Sequence, residues 1–249
     1  MQEESFLADI HDTEGLMIWI INHLADTFGS HAILKGGMEL RLVDCPRFTN
    51  DLDYVFVPFA SKKEIKDRIL KALREDPGLD VSYTINSKCI RYLVAREDVK
   101  VQVEVNVALD CESQEMSTSS LAKSKNQQGR MIRVMNFETA LAHKLAAWNE
   151  RGLVRDLYDA YYLCVVLRAK PDMRVLKQRL ARVESRKKGS KLIAMNIDEF
   201  IEKLESTARD LTDAMVKNDL RDCMLQDELA GLDRKIVGGI SRIVEYLRV

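Results

Sequence analysis

The segment Lys35-Gly36-Gly37-Met38-Glu39-Leu40-Arg41, followed ten residues later by Asp51-Leu52-Asp53, combines residue types suited to holding phosphate and a divalent cation. Ala32-Ile33-Leu34 is apolar enough for a short strand, and Gly36-Gly37 permits a tight turn into a helix whose first amide N–H groups lack intrahelical partners; such a turn attracts phosphate. In Leu52-Asp53-Tyr54-Val55-Phe56-Val57 the side chains of a strand alternate between faces, so Asp51 and Asp53 point the same way. Their Cα atoms would lie about 6.5–7 Å apart at the usual strand rise. Two converging carboxylates repel unless a cation joins them, and hard oxygen ligands suit Mg²⁺ when substrate phosphates complete its coordination.

Two further places break the local pattern. After Asn136, the stripe Phe137, Leu141, Lys144, Trp148 puts a lysine on a face that periodicity assigns to packing. Lys144 must either snorkel to water or meet an anion at the edge of the core, because an unpaired buried ammonium is costly. In the next helical stretch Arg155 and Asp159 stand four residues apart, either as an intrahelical salt bridge or as anchors for Lys144 and a triphosphate. Val101 to Val107 is the cleanest alternation in the chain, with valines on one face and Gln102, Glu104 and Asn106 on the other. Glu104 is either a solvated residue there or a carboxylate available to a site.

The elements that must position these groups fall into two parts. Helical periodicity in Leu16, Trp19, Ile20, His23 and Leu24 ends at Gly29; strands follow at Ala32, Leu52, Val81–Ile85, Ile90–Ala95 and Val101–Val107, with a helix capped by Ser61 reaching about Leu73. Glu112 to Gly129, rich in Ser, Gln and Lys, reads as a long mobile loop. From Asn136 onward the pattern is helical, over Phe137–Arg151, Val154–Arg168, Pro171–Glu184, Ile197–Val216 and Leu232–Leu247. The expected fold is α+β: a mixed-sheet domain over residues 1–135 and a helical bundle over 136–249, with a cleft between them as the natural ligand site.

The chain has 249 residues, 46% hydrophobic, enough for a substantial core and unlike a disordered chain. No apolar stretch approaches the length that spans a bilayer, and Leu16–Ile21 follows an acidic start, which argues against secretion or membrane insertion. Five scattered cysteines without C-x-x-C spacing point to a reducing cytoplasm and no structural zinc, and His11, His23, His31 and His143 have no metal-ligand spacing. Net charge is −1, yet Leu167–Lys191 holds ten Lys and Arg against Asp172 and Glu184 alone. That run is a solvated face or a surface for a polyanion such as RNA.

The segments L-K-G-G-M-E-L-R, R-F-T-N-D-L-D-Y, A-H-K-L-A-A and R-D-L-Y-D, in this order between His31 and Leu167, resemble the four motifs of the AbiEii/AbiGii toxin family of nucleotidyltransferases, which includes MenT toxins. The resemblance implies a polymerase-β-like nucleotidyltransferase fold and Mg²⁺-dependent transfer of an NMP from an NTP, most naturally to the 3′ end of tRNA, in the cytoplasm. It implies nucleotide binding by Lys35, Gly36, Gly37, Arg41, Arg155 and Asp156, metal binding by Asp51 and Asp53, a triphosphate contact from Lys144, and a catalytic Asp159. The third carboxylate of the wider superfamily would be Glu104. Met38 stands where many members carry Ser or Thr, so a phosphate-bonding hydroxyl is missing. An antitoxin is the partner implied by the family. Transfer to a protein hydroxyl, or NTP binding without turnover, are the alternatives these residues leave open.

Overall fold

The computed structural model describes Ile10, residues 12–182 and residues 194–248. The chain divides into two compact units, Met1–Met135 and Asn136–Val249.

The first unit is built on α1 (Thr13–Phe28), β1 (Ala32–Lys35), α2 (Gly37–Arg41), β2 (Asp51–Phe56), α3 (Lys62–Leu73), β3 (Asp80–Ile85), β4 (Ile90–Arg96), β5 (Val99–Val107), β6 (Ser113–Ser117), α4 (Ser119–Ser124) and β7 (Met131–Met135). The seven strands form one mixed sheet in the order β3-β4-β5-β2-β1-β7-β6. β2 is antiparallel to β1 and parallel to β5, while β1 is parallel to β7. Local signals set the helix starts: Asp12 accepts the Gly15 N–H at 2.7 Å to begin α1, and Glu64 reaches back to the Ser61 N–H at 2.6 Å to begin α3. One sheet face carries Ala32, Leu34, Leu52, Tyr54, Phe56, Val101, Val103 and Val105 into a core with α1 and α3. Lys35, Asp51, Asp53 and Glu104 occupy the alternate positions and therefore the other face.

The expected loop over Glu112–Gly129 is instead the edge strand β6, the short helix α4 and their links, followed by an unanticipated strand β7. β6 is polar because it lies at the sheet edge, so no hydrophobic alternation announces it. Hydrogen bonds to α1 hold the segment. The buried Thr118 hydroxyl donates to the Asn22 amide oxygen and accepts the Arg130 N–H, both at 2.8 Å. Asn22 in turn donates to the Gln128 carbonyl at 2.9 Å, and Gln127 donates to the Gly15 carbonyl at 2.8 Å.

The second unit contains α5 (Phe137–Arg151), α6 (Val154–Tyr161), α7 (Met173–Leu180), α8 (Ile197–Asp210), α9 (Asp213–Leu220) and α10 (Leu232–Leu247). α6 does not continue to Arg168 as an α-helix: it passes into a π-helical turn, Tyr162–Val166, and Arg168 ends it in the left-handed region at φ 59°. A 3.6-residue pattern does not register that extra residue. The helix expected over Ile197–Val216 is two, because Leu211 is extended and Thr212 caps α9 through the Met215 N–H. α7 stops at Leu180, and the end of the expected Pro171–Glu184 helix, with four of the basic residues counted above (Arg186, Lys187, Lys188, Lys191), lies outside the described residues. All five cysteines are free thiols. No helix among the described residues is long and apolar enough to cross a membrane.

Replacing Thr118 by Val keeps its shape but leaves the Asn22 oxygen and the Arg130 N–H without this partner. The expected loss is about 1–3 kcal/mol of stability, read as a lower urea midpoint with an unchanged slope.

Candidate active site

Strand β1 delivers the chain to Gly36, whose φ of 85° and ψ of −143° belong to a region that residues with a Cβ avoid. Space enforces the same choice. A Cβ on Gly36 would lie 2.6 Å from Asp53 Oδ2, and one on Gly37 would lie 2.8 Å from Thr49 Oγ1 and 2.9 Å from Arg47 Nη2. The two glycines are thus pressed between a carboxylate on one side and a hydroxyl and guanidinium on the other, leaving backbone as the surface a ligand would meet. The buried Glu39 carboxylate accepts the Gly36 N–H at 3.2 Å and holds the turn onto α2. Arg41 donates to Glu14 at 2.8 Å and to the Cys45 carbonyl at 3.0 Å, and its guanidinium lies 5.4 Å from the Phe48 ring centre. It ties α2 to α1.

Asp51 and Asp53 share one face of β2 and are both partly exposed. The Thr49 hydroxyl donates to Asp51 Oδ1 at 2.6 Å, and Lys35 Nζ stands 3.5 Å from Asp53 Oδ1. Sheet register sets Lys35 opposite Asp53, Asp53 opposite Glu104, and Glu104 opposite Arg91, so a row of cation, two carboxylates and cation crosses four strands. At its far end Arg91 donates to Glu104 Oε1 at 2.6 Å and Gln102 donates to the same oxygen at 3.0 Å. The hydrogen bond to Glu104, and then its charge, raise the Arg91 pKa above its ordinary value.

A divalent cation fits this donor set in one respect. Asp51 and Asp53 are hard oxygen donors on one face, with a glycine cradle touching Asp53. Among the described residues no three His, Cys, Asp or Glu side chains gather as a metal site, so phosphate oxygens and water would complete the coordination. Burial first, and then the Asp110 and Glu39 charges, push the Cys111 thiol up to about 11.

Met38 is fully buried in the core, so the position that lacks a hydroxyl does not point to the turn. Thr49 supplies a hydroxyl against Gly37 instead. Thr49 and Arg47 lie within the motif R-F-T-N-D-L-D-Y without a role of their own assigned from sequence, and Arg91 lies outside every motif. The signal for the first two is their place in that motif, just before Asp51; Arg91 becomes visible only through the register of β4 on β5.

In the second unit, Lys144 on α5 meets its anion: Nζ lies 2.6 Å from Asp159 Oδ2, with the carboxylate only 1% exposed. Its neighbour Asp156, fully buried, receives both a Nε and a terminal nitrogen of Arg151 in a bidentate pair. Arg155 is exposed, and its backbone N–H donates to Asp219 at 3.0 Å. α5 is further tied by Arg179, which donates to Glu150 at 2.6 Å and contacts His143 Nδ1 at 2.9 Å. Lys203 donates to Asn149 Oδ1 at 2.6 Å, and burial lowers its pKa.

Removing one partner of a buried pair strands the other. Arg151→Ala should therefore cost about 3–5 kcal/mol of stability in urea unfolding, and Arg151→Met with Asp156→Leu should recover most of it. An unchanged midpoint in the single variant would contradict the assignment of this pair to the framework.

Comparison with known proteins gives this geometry a context. No curated protein matches the chain. JHP933 from Helicobacter pylori shares the fold at a TM-score of 0.54 with 20% identity, over 95% of this chain and 92% of that one. A second H. pylori protein, provisionally described as a nucleotidyltransferase, gives 0.52 and 19% over 100% and 98%. The family described as "Nucleotidyl transferase AbiEii toxin, Type IV TA system" matches residues 19–236, which include the glycine turn, the aspartate pair of β2 and the Lys144–Asp159 pair, and the chain therefore belongs to the AbiEii nucleotidyltransferase toxins.

Proposed function

We propose that this nucleotidyltransferase moves an NMP from an NTP to the 3′ hydroxyl of a tRNA in a Mg²⁺-dependent reaction. The observation that carries the reading is the contact of Gly36 with Asp53: a bare backbone turn lies directly against a carboxylate whose partner, Asp51, shares its face. That is the arrangement needed to seat a triphosphate beside its cation. When bound, the cation supplies charge neutralisation and polarisation at the phosphates.

The chain's own groups do the rest. Gly36 and Gly37 let the phosphates approach the backbone, with Lys35 and Arg47 as the nearest cations and Arg41 anchoring the helix that follows. Thr49 fixes the Asp51 carboxylate, and Lys35 holds Asp53. Glu104 is the proposed third carboxylate; it is in register with Asp53, but Arg91 and Gln102 hold its carboxylate and it does not gather with Asp51 and Asp53 as a three-residue metal cluster among the described residues. Lys144, its ammonium fixed by Asp159, is the cation that offsets charge developing on the phosphates, with Arg155 and Asp156 in supporting roles on the same helix as Asp159. A bond forms from the acceptor oxygen to the α-phosphorus as the bond from that phosphorus to the β-phosphate's bridging oxygen breaks; pyrophosphate leaves and the hydroxyl proton passes to solvent. The type IV toxin–antitoxin family implies an antitoxin as partner.

Incubation with Mg²⁺, total tRNA and each α-³²P-labelled NTP should label RNA with one or more nucleotides. Asp51→Ala with Asp53→Ala should reduce that label by at least about a hundredfold. Label confined to protein would move the acceptor to a polypeptide, and NTP binding without any label would remove the catalytic reading.

A further inference from the structure

α6, the π-helical turn and α10 border an open cavity of about 710 Å³ whose lining includes Tyr161, Arg168, Arg234, Lys235, Arg242 and Tyr246. Four of its lining residues are cations and none is acidic. Only Arg242 has an acidic partner, Glu245 at 3.0 Å; among the described residues the side chains of Arg168, Arg234 and Lys235 form no ion pair or hydrogen bond. Like charges gathered this way repel one another unless an anion joins them, and the chain's net charge of −1 shows that the patch is not a sample of a generally basic surface.

The cluster is also built rather than incidental. Arg168 comes from the basic run after Leu167, while Arg234, Lys235 and Arg242 come from α10, more than sixty residues later; the packing of α10 on α6 and the π-helical turn brings them together. Arg168 adopts a left-handed backbone that a non-glycine residue takes at a cost, directly after a π-helical turn of the kind found at functional sites. Gly239 admits Tyr161, which a Cβ would meet at 2.9 Å. Lys170 Nζ and the Arg242 guanidinium lie 5.4 and 4.9 Å from the Tyr246 ring centre. Exposed Val165 and Val166 add apolar surface beside the cations. Tyr161 follows Asp159 by two residues, about 200° around the helix, so this cavity is separate from the Lys144–Asp159 pair.

Four cations, three of them without an acidic partner among the described residues, interleaved with aromatic and apolar surface match a single-stranded nucleic acid, whose backbone carries one negative charge per nucleotide and whose bases stack. We infer that this cavity is a docking site for the phosphodiester backbone of the acceptor RNA, in a single-stranded stretch, distinct from the groups that handle the NTP. The inference rests on the RNA-acceptor reading above.

Gly238, which lines the cavity, gives one test, because a Cβ there meets nothing within 4 Å, so Gly238→Leu adds bulk on the cavity side and improves helix propensity. Affinity of the full chain for a labelled single-stranded RNA oligonucleotide would be measured across salt concentrations, with Arg234→Glu/Lys235→Glu as the second variant and circular dichroism melting for both. Each variant should weaken binding at least tenfold with an unchanged melting temperature, and the double charge reversal should flatten the log K against log salt slope by about 1.4, two contacts at ~0.7 each. Unchanged affinity and slope in both variants would overturn the proposal, as would binding of ATP at the cavity without RNA. Binding is read without turnover, so the two ideas fail separately. RNA still labelled at wild-type rate and affinity by both variants removes the site and keeps the acceptor reading. Binding lost in the variants, with RNA never labelled by the wild type, keeps the site and removes that reading.

Discussion

The period of two along β2 is the constraint on which the candidate site depends. Leu52, Tyr54 and Phe56 are buried against α1 and α3, and a strand cannot bury those three without turning Asp51 and Asp53 to the opposite face. A slip of one residue would send both carboxylates into a hydrocarbon core and three large apolar side chains out of it, at several kcal/mol for each charge. Hydrophobic burial thereby fixes the direction of groups that contribute nothing to it. The neighbouring strands extend the same logic: once Leu34 and Val103 are buried, Lys35 and Glu104 must flank Asp53, and Arg91 must flank Glu104. The charges of that row alternate in groups, so each carboxylate has a cation at its outer side and the pair keeps its inner repulsion for a ligand to relieve.

The second unit uses the helical period for a similar end. Lys144 sits on the packed stripe of α5 because Asp159 of α6 meets it there, and Arg151 and Asp156 join the same two helices. These pairs are poor sources of net stability, since desolvation offsets much of their attraction. They are good at fixing rotation of one helix against the other. On the far side of α6 the chain does the reverse: cations of α10 and Arg168, just after the π-helical turn, are gathered with a carboxylate partner for Arg242 alone among the described residues.

Much of this was legible in the residues. The glycine turn, the direction of the aspartates and the anomaly at Lys144 follow from spacing alone, because each depends on a period of 2 or 3.6 residues or on a backbone only glycine adopts. Residues 113–135 were not, since β6 is a polar edge strand and hydrogen bonds from Thr118, Asn22 and Gln127 hold its neighbourhood, leaving no hydrophobic signature. The roles of Arg47, Thr49 and Arg91 were not legible for a different reason. Their importance lies in what they touch, Gly37 and Glu104, and contacts between separate strands and turns carry no local pattern. The cationic cavity likewise joins segments distant in sequence, of which the basic run after Leu167 revealed only one part.

The most direct test of the central claim is a crystal structure of the chain soaked with Mn²⁺ and a non-hydrolysable NTP, located by the anomalous signal of manganese. The account predicts a manganese peak coordinated by both Asp51 and Asp53, with the triphosphate against the backbone of Gly36 and Gly37. Nucleotide bound elsewhere, or a metal peak that touches neither aspartate, would contradict it.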